Sequence, residues 1–248
     1  MEQTEQNDIE QTLVLIKPDA LKNSLTGYVL SQLSEFHTGL RFAATKIVHV
    51  SAMLASEHYA EHRGKFFFPS LLDYIQGRLH HPKEPWKRRV IAIVYQGPKA
   101  VSRVRELCGP TNPHKARDEK PGCIRSLGTL EIIKDASGKV LGERMDNLIH
   151  ASANTTDAER ELKLWFKPND IPPAMHPYAT EVSKANYYFK DGKLYDTYDI
   201  GRFCVLATGD LGWKSDIEAL SRLLRGEPSA VPVESVVAKY LINEHQED

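Results

Sequence analysis

Residues 12–17, TLVLIK, form a β-branched and aliphatic run that Pro18 stops, the pattern of a buried strand with Lys17 at its end. Between Gly27 and Gly39, Val29, Leu30, Leu33 and Phe36 then recur at helical spacing, and Gly39 is a natural C-terminal cap. Strand is thus followed by helix, and the alternation continues. Residues 41–50, RFAATKIVHV, read as a second strand, and Ser51 is placed to cap a helix running to about His62. SLLDYIQG gives a short helix, and VIAIVY at 90–95 a third strand buried on both faces. Pro98 fits the first turn of a helix over KAVSRVREL that ends before Gly109. Residues 127–146 read as two strand-like pieces around Asp135-Ala136-Ser137-Gly138-Lys139, which has hairpin-turn chemistry. Alternation without an internal repeat predicts an α/β chain.

The 248 residues are enough for one large domain, or an ordinary domain with an extension. A formal net charge of −1 argues against a dedicated polyanion binder, so phosphate recognition is expected to be local. Cys108, Cys123 and Cys204 are far apart, which suggests neither a disulfide framework nor a zinc knuckle and points to a reducing, cytoplasmic setting. The start, MEQTEQNDIE, is acidic and has no apolar core of the signal-peptide kind, and no later run is long enough to cross a bilayer. After Lys167-Pro168 the pattern changes. YYFKDGKLYDTYDIGRFCVL reads as a hairpin, SDIEALSRLL as a helix with a Ser215/Glu218 capping box, and SVVAKYLI as a last amphipathic stretch before an acidic tail. The expected division is a domain over 10–168 and an extension over 169–248 packing on it.

Phosphoryl transfer needs a nucleophile, cations around the transferred oxygens and a group that orients the nucleophile. His150 can supply a neutral imidazole, and Thr156 with Glu159 forms an expected capping box for a helix that presents Glu161. If Glu161 holds one ring nitrogen, the other is left free. On these residues alone, His150 ending a strand and Glu161 decorating a solvated helix face is the plainer alternative. Lys17, Arg105 late in a helix and Arg125 after a Pro-Gly turn are candidate phosphate ligands, although each alone is usually a surface charge. Thr111 adds a hydroxyl in a rigid turn. Phe67 can stack on a base or simply join a core cluster.

The motifs IKPDA (16–20), HYAEH (58–62), KFFF (65–68), GPTNP (109–113), KPGCIR (120–125), NLIHAS (147–152) and ELKLWF (161–166) occur in one order along the chain. Together they resemble the nucleoside diphosphate kinase family over about residues 10–168. The resemblance implies a ferredoxin-like βαββαβ sandwich, an α+β architecture with an antiparallel sheet, plus an inserted hairpin and an α/β extension. It implies γ-phosphate transfer from nucleoside triphosphates to diphosphates, ping-pong, through phosphorylated His150. Glu161 and Ser152 would orient that ring with Tyr59 beside it. Arg105, Thr111 and Arg125 match phosphate-binding positions, Lys17 and Asn147 positions at sugar hydroxyls and phosphates, and Phe67 the base-stacking position. Magnesium would arrive on the nucleotide phosphates, with no dedicated carboxylate cage, and a homo-oligomer, a dimeric unit or larger, is expected.

The chain also departs from the family pattern. After His150 come Ala151, Ser152, Ala153 and Asn154, so one usual acidic neighbour is missing. Ser126-Leu127-Gly128 replaces the usual Gly-Asp-Phe after Arg125, and the basic segment 80–89 has the character of an insertion. Arg144 falls where the family often has an aliphatic residue opposite the base. A regulatory nucleotide-binding module without turnover is the competing reading, but such a module has little need for His150. Nucleic-acid binding through HHPKEPWKRR rests on that one segment and is not expected.

Overall fold

The structure, a computed structural model, describes residues 9–135 and 137–241. The acidic leader and the acidic tail noted in the sequence lie almost wholly outside that range. In chain order the first part runs β1 (Ile9–Ile16), α1 (Pro18–Lys22), α2 (Thr26–Gln32), α3 (Glu35–Thr38), β2 (Arg41–Val48), α4 (Ala52–His58), α5 (Phe68–Ile75) and β3 (Val90–Pro98). It continues with α6 (Ala100–Cys108), α7 (Pro113–Glu119), β4 (Thr129–Lys134), β5 (Val140–Asp146), β6 (Ile149–Ala151) and α8 (Thr155–Trp165).

Four strands pair in the order β2-β3-β1-β6, all antiparallel. This is the ferredoxin-like arrangement, with β1 central because Leu13, Val14, Leu15 and Ile16 are all fully buried. Successive strand residues point to opposite faces. Leu13 and Leu15 pack with Leu54 of α4 and Leu162 and Trp165 of α8, whereas Val14 and Ile16 pack with Val29 of α2 and Val104 of α6. The crossover helices α2 and α6 therefore cover one face, and α4 and α8, whose residues build the site, cover the other.

Several expected local details differ. The helix expected over 27–39 is interrupted at Leu33-Ser34, because the Ser34 hydroxyl accepts from His37 N and starts α3 afresh; Gly39 closes it in the left-handed conformation, φ 64°. Pro98 ends β3 rather than starting α6, whose N-cap is Lys99. The helix expected to reach His62 stops as α4 at His58, although Ser51 caps it as anticipated. The cap of α8 is Asn154, which accepts from Asp157 N, and not a Thr156/Glu159 box. An Asx side chain two residues earlier captures the free helix N–H first. The 127–146 segment forms the expected hairpin: β4 and β5 pair antiparallel, and Asp135 Oδ1 accepts from Ser137 N and Lys139 N across the turn. Ala136 lies outside the described residues.

The remaining elements are β7 (Thr180–Val182), β8 (Tyr187–Lys190), β9 (Lys193–Tyr195), β10 (Phe203–Leu206), β11 (Leu211–Trp213), α9 (Lys214–Leu224) and α10 (Val233–Val237). The expected hairpin is β8–β9, turning through Asp191 (φ 49°) and Gly192 (φ 78°), the two positive φ values that a tight two-residue turn needs. Ser215 lies in the first turn of α9, but no side-chain cap bond forms there, contrary to the expected Ser215/Glu218 box. These elements are not a loose tail. Trp213 is fully buried against the main core and donates through Nε1 to Phe166 O at 2.7 Å. Removing a ring of that size from water contributes roughly 3 kcal/mol. The buried pair Lys239 Nζ–Asp216 Oδ2, 2.9 Å, joins the segment after α10 to α9. Ser235 of α10 donates to Glu57, the residue before His58 in α4.

Candidate active site

Lys17, Asn147 and His150 are brought together where the central strand β1 ends beside the edge strand β6. Ile16 lies opposite Ile149 and Leu15 opposite His150, so the register places the catalytic candidates beside the end of β1. The chain reaches β6 through Leu148, a non-glycine residue at φ 69°. That left-handed conformation is disfavoured for leucine. It is held by two bonds: Leu148 N donates to Asp19 Oδ2 at 2.9 Å, and Leu148 O accepts from Lys17 N at 2.9 Å. The tight turn presents Asn147, whose Oδ1 accepts from Lys17 Nζ at 2.7 Å and whose Nδ2 donates to Thr111 O at 2.9 Å. Lys17 is buried, and burial lowers its ammonium to about 8, only partly offset by Asp19.

His150 Nε2 lies 2.8 Å from Glu161 Oε2. The same oxygen accepts from Ser152 Oγ at 2.7 Å, and Ser152 Oγ accepts in turn from Leu13 N at 3.2 Å. The carboxylate is thereby tied to the central strand. Burial pushes Glu161 up, but the His150 charge and bonds from His150 and Ser152 outweigh it and hold the carboxyl at about 2. A permanent carboxylate on Nε2 selects the tautomer with its proton there and leaves the Nδ1 lone pair free.

His58 was quoted within a sequence motif but given no role, and the structure sets its ring edge-to-face with His150, centroids 4.5 Å apart. Trp165 Nε1 donates to His58 Nδ1 at 3.2 Å, so neutral His58 carries its proton on Nε2. Burial, then the His150 charge, keeps that ring's pKa well below the usual histidine range. Among the described residues the one group of three or more side chains close enough to share a metal ion is His58, His150 and Glu161. His58 Nε2 cannot offer a lone pair while Nδ1 accepts from Trp165, so this is not a built metal site.

One cleft of about 600 Å³ is lined by nine of the ten sequence-nominated residues: Lys17, Tyr59, Phe67, Arg105, Thr111, Arg125, Asn147, His150 and Glu161. Ser152, the tenth, stands behind Glu161. Arg125 is buried, with Nη1 donating to Gly109 O and Nη2 to Ile149 O, and its Nε is left without a partner. The Tyr59 hydroxyl is likewise buried and unpartnered, and burial pushes its pKa up. Lys17, Arg105 and Arg125 in the lining suit an anionic ligand. Phe67 is half-buried at the other end, edge-to-face with His62 and Phe66. Sequence reading gave no role to Asp19, His58 or His80. Asp19 and His58 sat inside quoted motifs, but only the folded chain shows what they touch.

A family description, nucleoside diphosphate kinase, matches residues 10–171. The nucleoside diphosphate kinase of Pyrococcus furiosus is 38% identical over 165 residues, covering 66% of this chain and 88% of that protein. The enzyme of Mycobacterium leprae is 40% identical over 157 residues, covering 63% and 96%. Among solved structures, a transition-state mimic of the Borrelia burgdorferi enzyme with bound vanadate and ADP is 31% identical, with a TM-score of 0.52, covering 67% of this chain and 92% of that one. The Aquifex aeolicus enzyme gives 29% and 0.52, covering 66% and 99%. The motifs, the sheet order and these matches agree, and the chain is an enzyme of the nucleoside diphosphate kinase family.

Proposed function

We propose that this enzyme moves the γ-phosphate of a nucleoside triphosphate to a nucleoside diphosphate in two displacements through His150 Nδ1. The observation that carries the reading is the Ser152–Glu161–His150 chain, which fixes the tautomer and aims a lone pair into the cationic cleft. In the first step Nδ1 attacks the γ-phosphorus, the N–P bond forms, and the bond to the β,γ-bridging oxygen breaks as the nucleoside diphosphate leaves. The imidazole becomes cationic as phosphorus bonds, and the Glu161 carboxylate stabilises that charge. In the second step a β-phosphate oxygen of the acceptor attacks the same phosphorus, the N–P bond breaks with its electron pair returning to Nδ1, and neutral His150 is restored.

Phosphoryl transfer depends on positioning and charge neutralisation. Arg105, Thr111 and Arg125 are assigned to the phosphate oxygens, Lys17 and Asn147 to the sugar hydroxyls and phosphates, and Phe67 to the base, with Tyr59 beside His150. The family uses a divalent metal. We infer magnesium, carried on the nucleotide phosphates, where it neutralises charge that the side chains leave uncovered.

The 10–168 unit is assigned the chemistry, with the extension as its support behind α4 and α8. The outer edge of β2, with Phe42 41% and Ile47 58% exposed, supports a homodimeric unit assembled across that strand. Among the described residues no helix is long and apolar enough to cross a membrane, and all three cysteines are free, which supports a cytoplasmic enzyme. Steady-state kinetics test the mechanism: double-reciprocal plots at several acceptor concentrations should be parallel, and intersecting lines would exclude a phosphoenzyme intermediate.

A further inference from the structure

The last amphipathic stretch of the chain reaches the active site from behind. α10 is anchored in the extension by Val236 and Val237, both fully buried, and Ser235 of the same helix turns its hydroxyl to α4. That hydroxyl donates to Glu57 Oε2, a bond between residues 178 apart in sequence. Glu57 is buried in the last turn of α4, directly before His58 and Tyr59, and its Oε1 accepts from Arg63 Nη2. A buried carboxylate needs donors on its oxygens. The Arg63 side chain is 49% exposed and lies in the loop after the helix, so Ser235, seated on a packed helix, is the firmer of the two anchors.

Two contacts lead from Glu57 to the reacting histidine. Arg160 Nη1 donates to Glu57 O at 3.3 Å, and its Nη2 lies 3.6 Å from Glu161 Oε1. His150 and Ser152 both bond to the other oxygen of that carboxylate, so Arg160 spans the end of α4 and the side of Glu161 that they leave open. The second contact is His58, the next residue along, whose ring stands edge-to-face on His150 with centroids 4.5 Å apart. A shift in the last turn of α4 therefore moves a charge beside Glu161 and a ring against His150 together. Arg160 and His58 line the cleft, whereas Ser235 and Glu57 stand behind its wall and reach a ligand only through such neighbours.

The geometry points to Ser235 as a positioning residue for phosphoryl transfer: from the extension, its hydroxyl fixes the Glu57 carboxylate and with it the last turn of α4 against Glu161 and His150. This rests on the reading of His150 as the phosphate carrier. Without the hydroxyl, Glu57 Oε2 is left buried without that donor, and the carboxylate turns toward the neighbouring cations, Arg63 and Arg160. Arg160 is then drawn from Glu161 and the end of α4 shifts. The groups assigned to phosphates, sugar and base are untouched, so the loss falls on the rate of transfer and not on nucleotide binding.

Threonine and valine at position 235 are nearly alike in shape and differ by the hydroxyl, and Ser235 borders a cavity of about 350 Å³ that has room for an added methyl. Ser235→Val should lower kcat, and the single-turnover rate at which ATP phosphorylates His150, by about five- to tenfold, with KM changed by less than about twofold. Ser235→Thr should stay within about twofold of wild type in all three. The calorimetric dissociation constant for ADP should be the same in both variants and wild type. Arg160→Ala should lower kcat by itself, and the loss in the double variant with Ser235→Val should be smaller than the product of the two single losses, because part of the Ser235 effect passes through Arg160. Unchanged kcat in Ser235→Val, equal losses in the valine and threonine variants, or fully multiplicative losses in the double variant would overturn the inference. Wild-type enzyme that turns over without ever carrying phosphate on His150 would instead remove the reading on which it rests.

Discussion

The two ends of the cleft, one proposed to hold the phosphates and the other the base, are built on different parts of the chain. At the phosphate end, Lys17, Asn147, Ser152 and Glu161 are buried and bonded to one another or to the central strands, with His150 in β6 itself. At the base end, Phe66 is 59% exposed, Phe67 sits just before α5, and Arg144 comes from a hairpin outside the main sheet. In-line transfer is sensitive to displacements of about an ångström, so its groups sit on the most rigid elements available. A stacking surface tolerates sliding and can be carried by mobile segments. On the proposed assignment, the base contacts are held less tightly than the groups that carry out the chemistry.

The strongest way to break this contrast is to alter the phosphate end and find little effect. His150→Gln should lower transferase kcat by on the order of 10⁴-fold or more while leaving the melting temperature near wild type, since the side chain is partly exposed. A residual rate near wild type would place the chemistry elsewhere. Glu161→Gln should cost about 10²-fold in kcat, because the tautomer lock and the charge partner go together. It should also change acid stability. The Glu161 carboxyl is held at about 2 against an ordinary 4.5, so its stabilisation is fully present above about 4.5 and is lost as pH falls toward 2. Denaturant titrations at pH 7 and pH 3 should show a smaller pH difference for Glu161→Gln than for wild type.

Lys17 provides a test in which activity and stability move in opposite directions. Its pKa is lowered from 10.5 to about 8 by burial. As pH rises through about 8, the folded protein loses the ammonium before the unfolded chain does, so kcat/KM should fall. The unfolded state binds more protons over that window, so the Lys17 contribution to stability should rise with pH. A kcat/KM profile flat to pH 10 would contradict the buried lysine. The smallest effect is expected at the base end: Phe67→Ala should raise KM for all nucleotides by about tenfold and change kcat by less than threefold, which turnover measurements at saturating nucleotide will check. A kcat loss as large as that of Glu161→Gln would erase the distinction between the two ends.

The strand cores and the order of the site motifs were readable in sequence because they are local. TLVLIK and VIAIVY have the composition of buried strands, and NLIHAS followed by ELKLWF places a histidine and a carboxylate one helix apart. The break at Leu33-Ser34 and the Asn154 cap were missed because neighbouring polar side chains compete for the same helix N–H groups, and periodicity does not weigh that competition. Pro98 fits the end of a strand and the start of a helix equally well, and tertiary pairing with Ile9 decides between them. The support for the site was harder to read. His80–Asp146 joins residues 66 apart in sequence, and Asp19–Leu148 joins residues 129 apart. No local pattern encodes either pairing, and both depend on the loops that the strand order brings together.

Direct labelling tests the central claim. Wild-type protein incubated with magnesium and γ-labelled ATP, then freed of nucleotide, should carry label that is stable to base and lost in acid, as a phosphorus bonded to an imidazole nitrogen requires. That label should pass to added nucleoside diphosphate and be missing from His150→Gln. Equal label on both proteins, acid-stable label on wild type, or active wild type that never acquires label would each contradict phosphate transfer through His150.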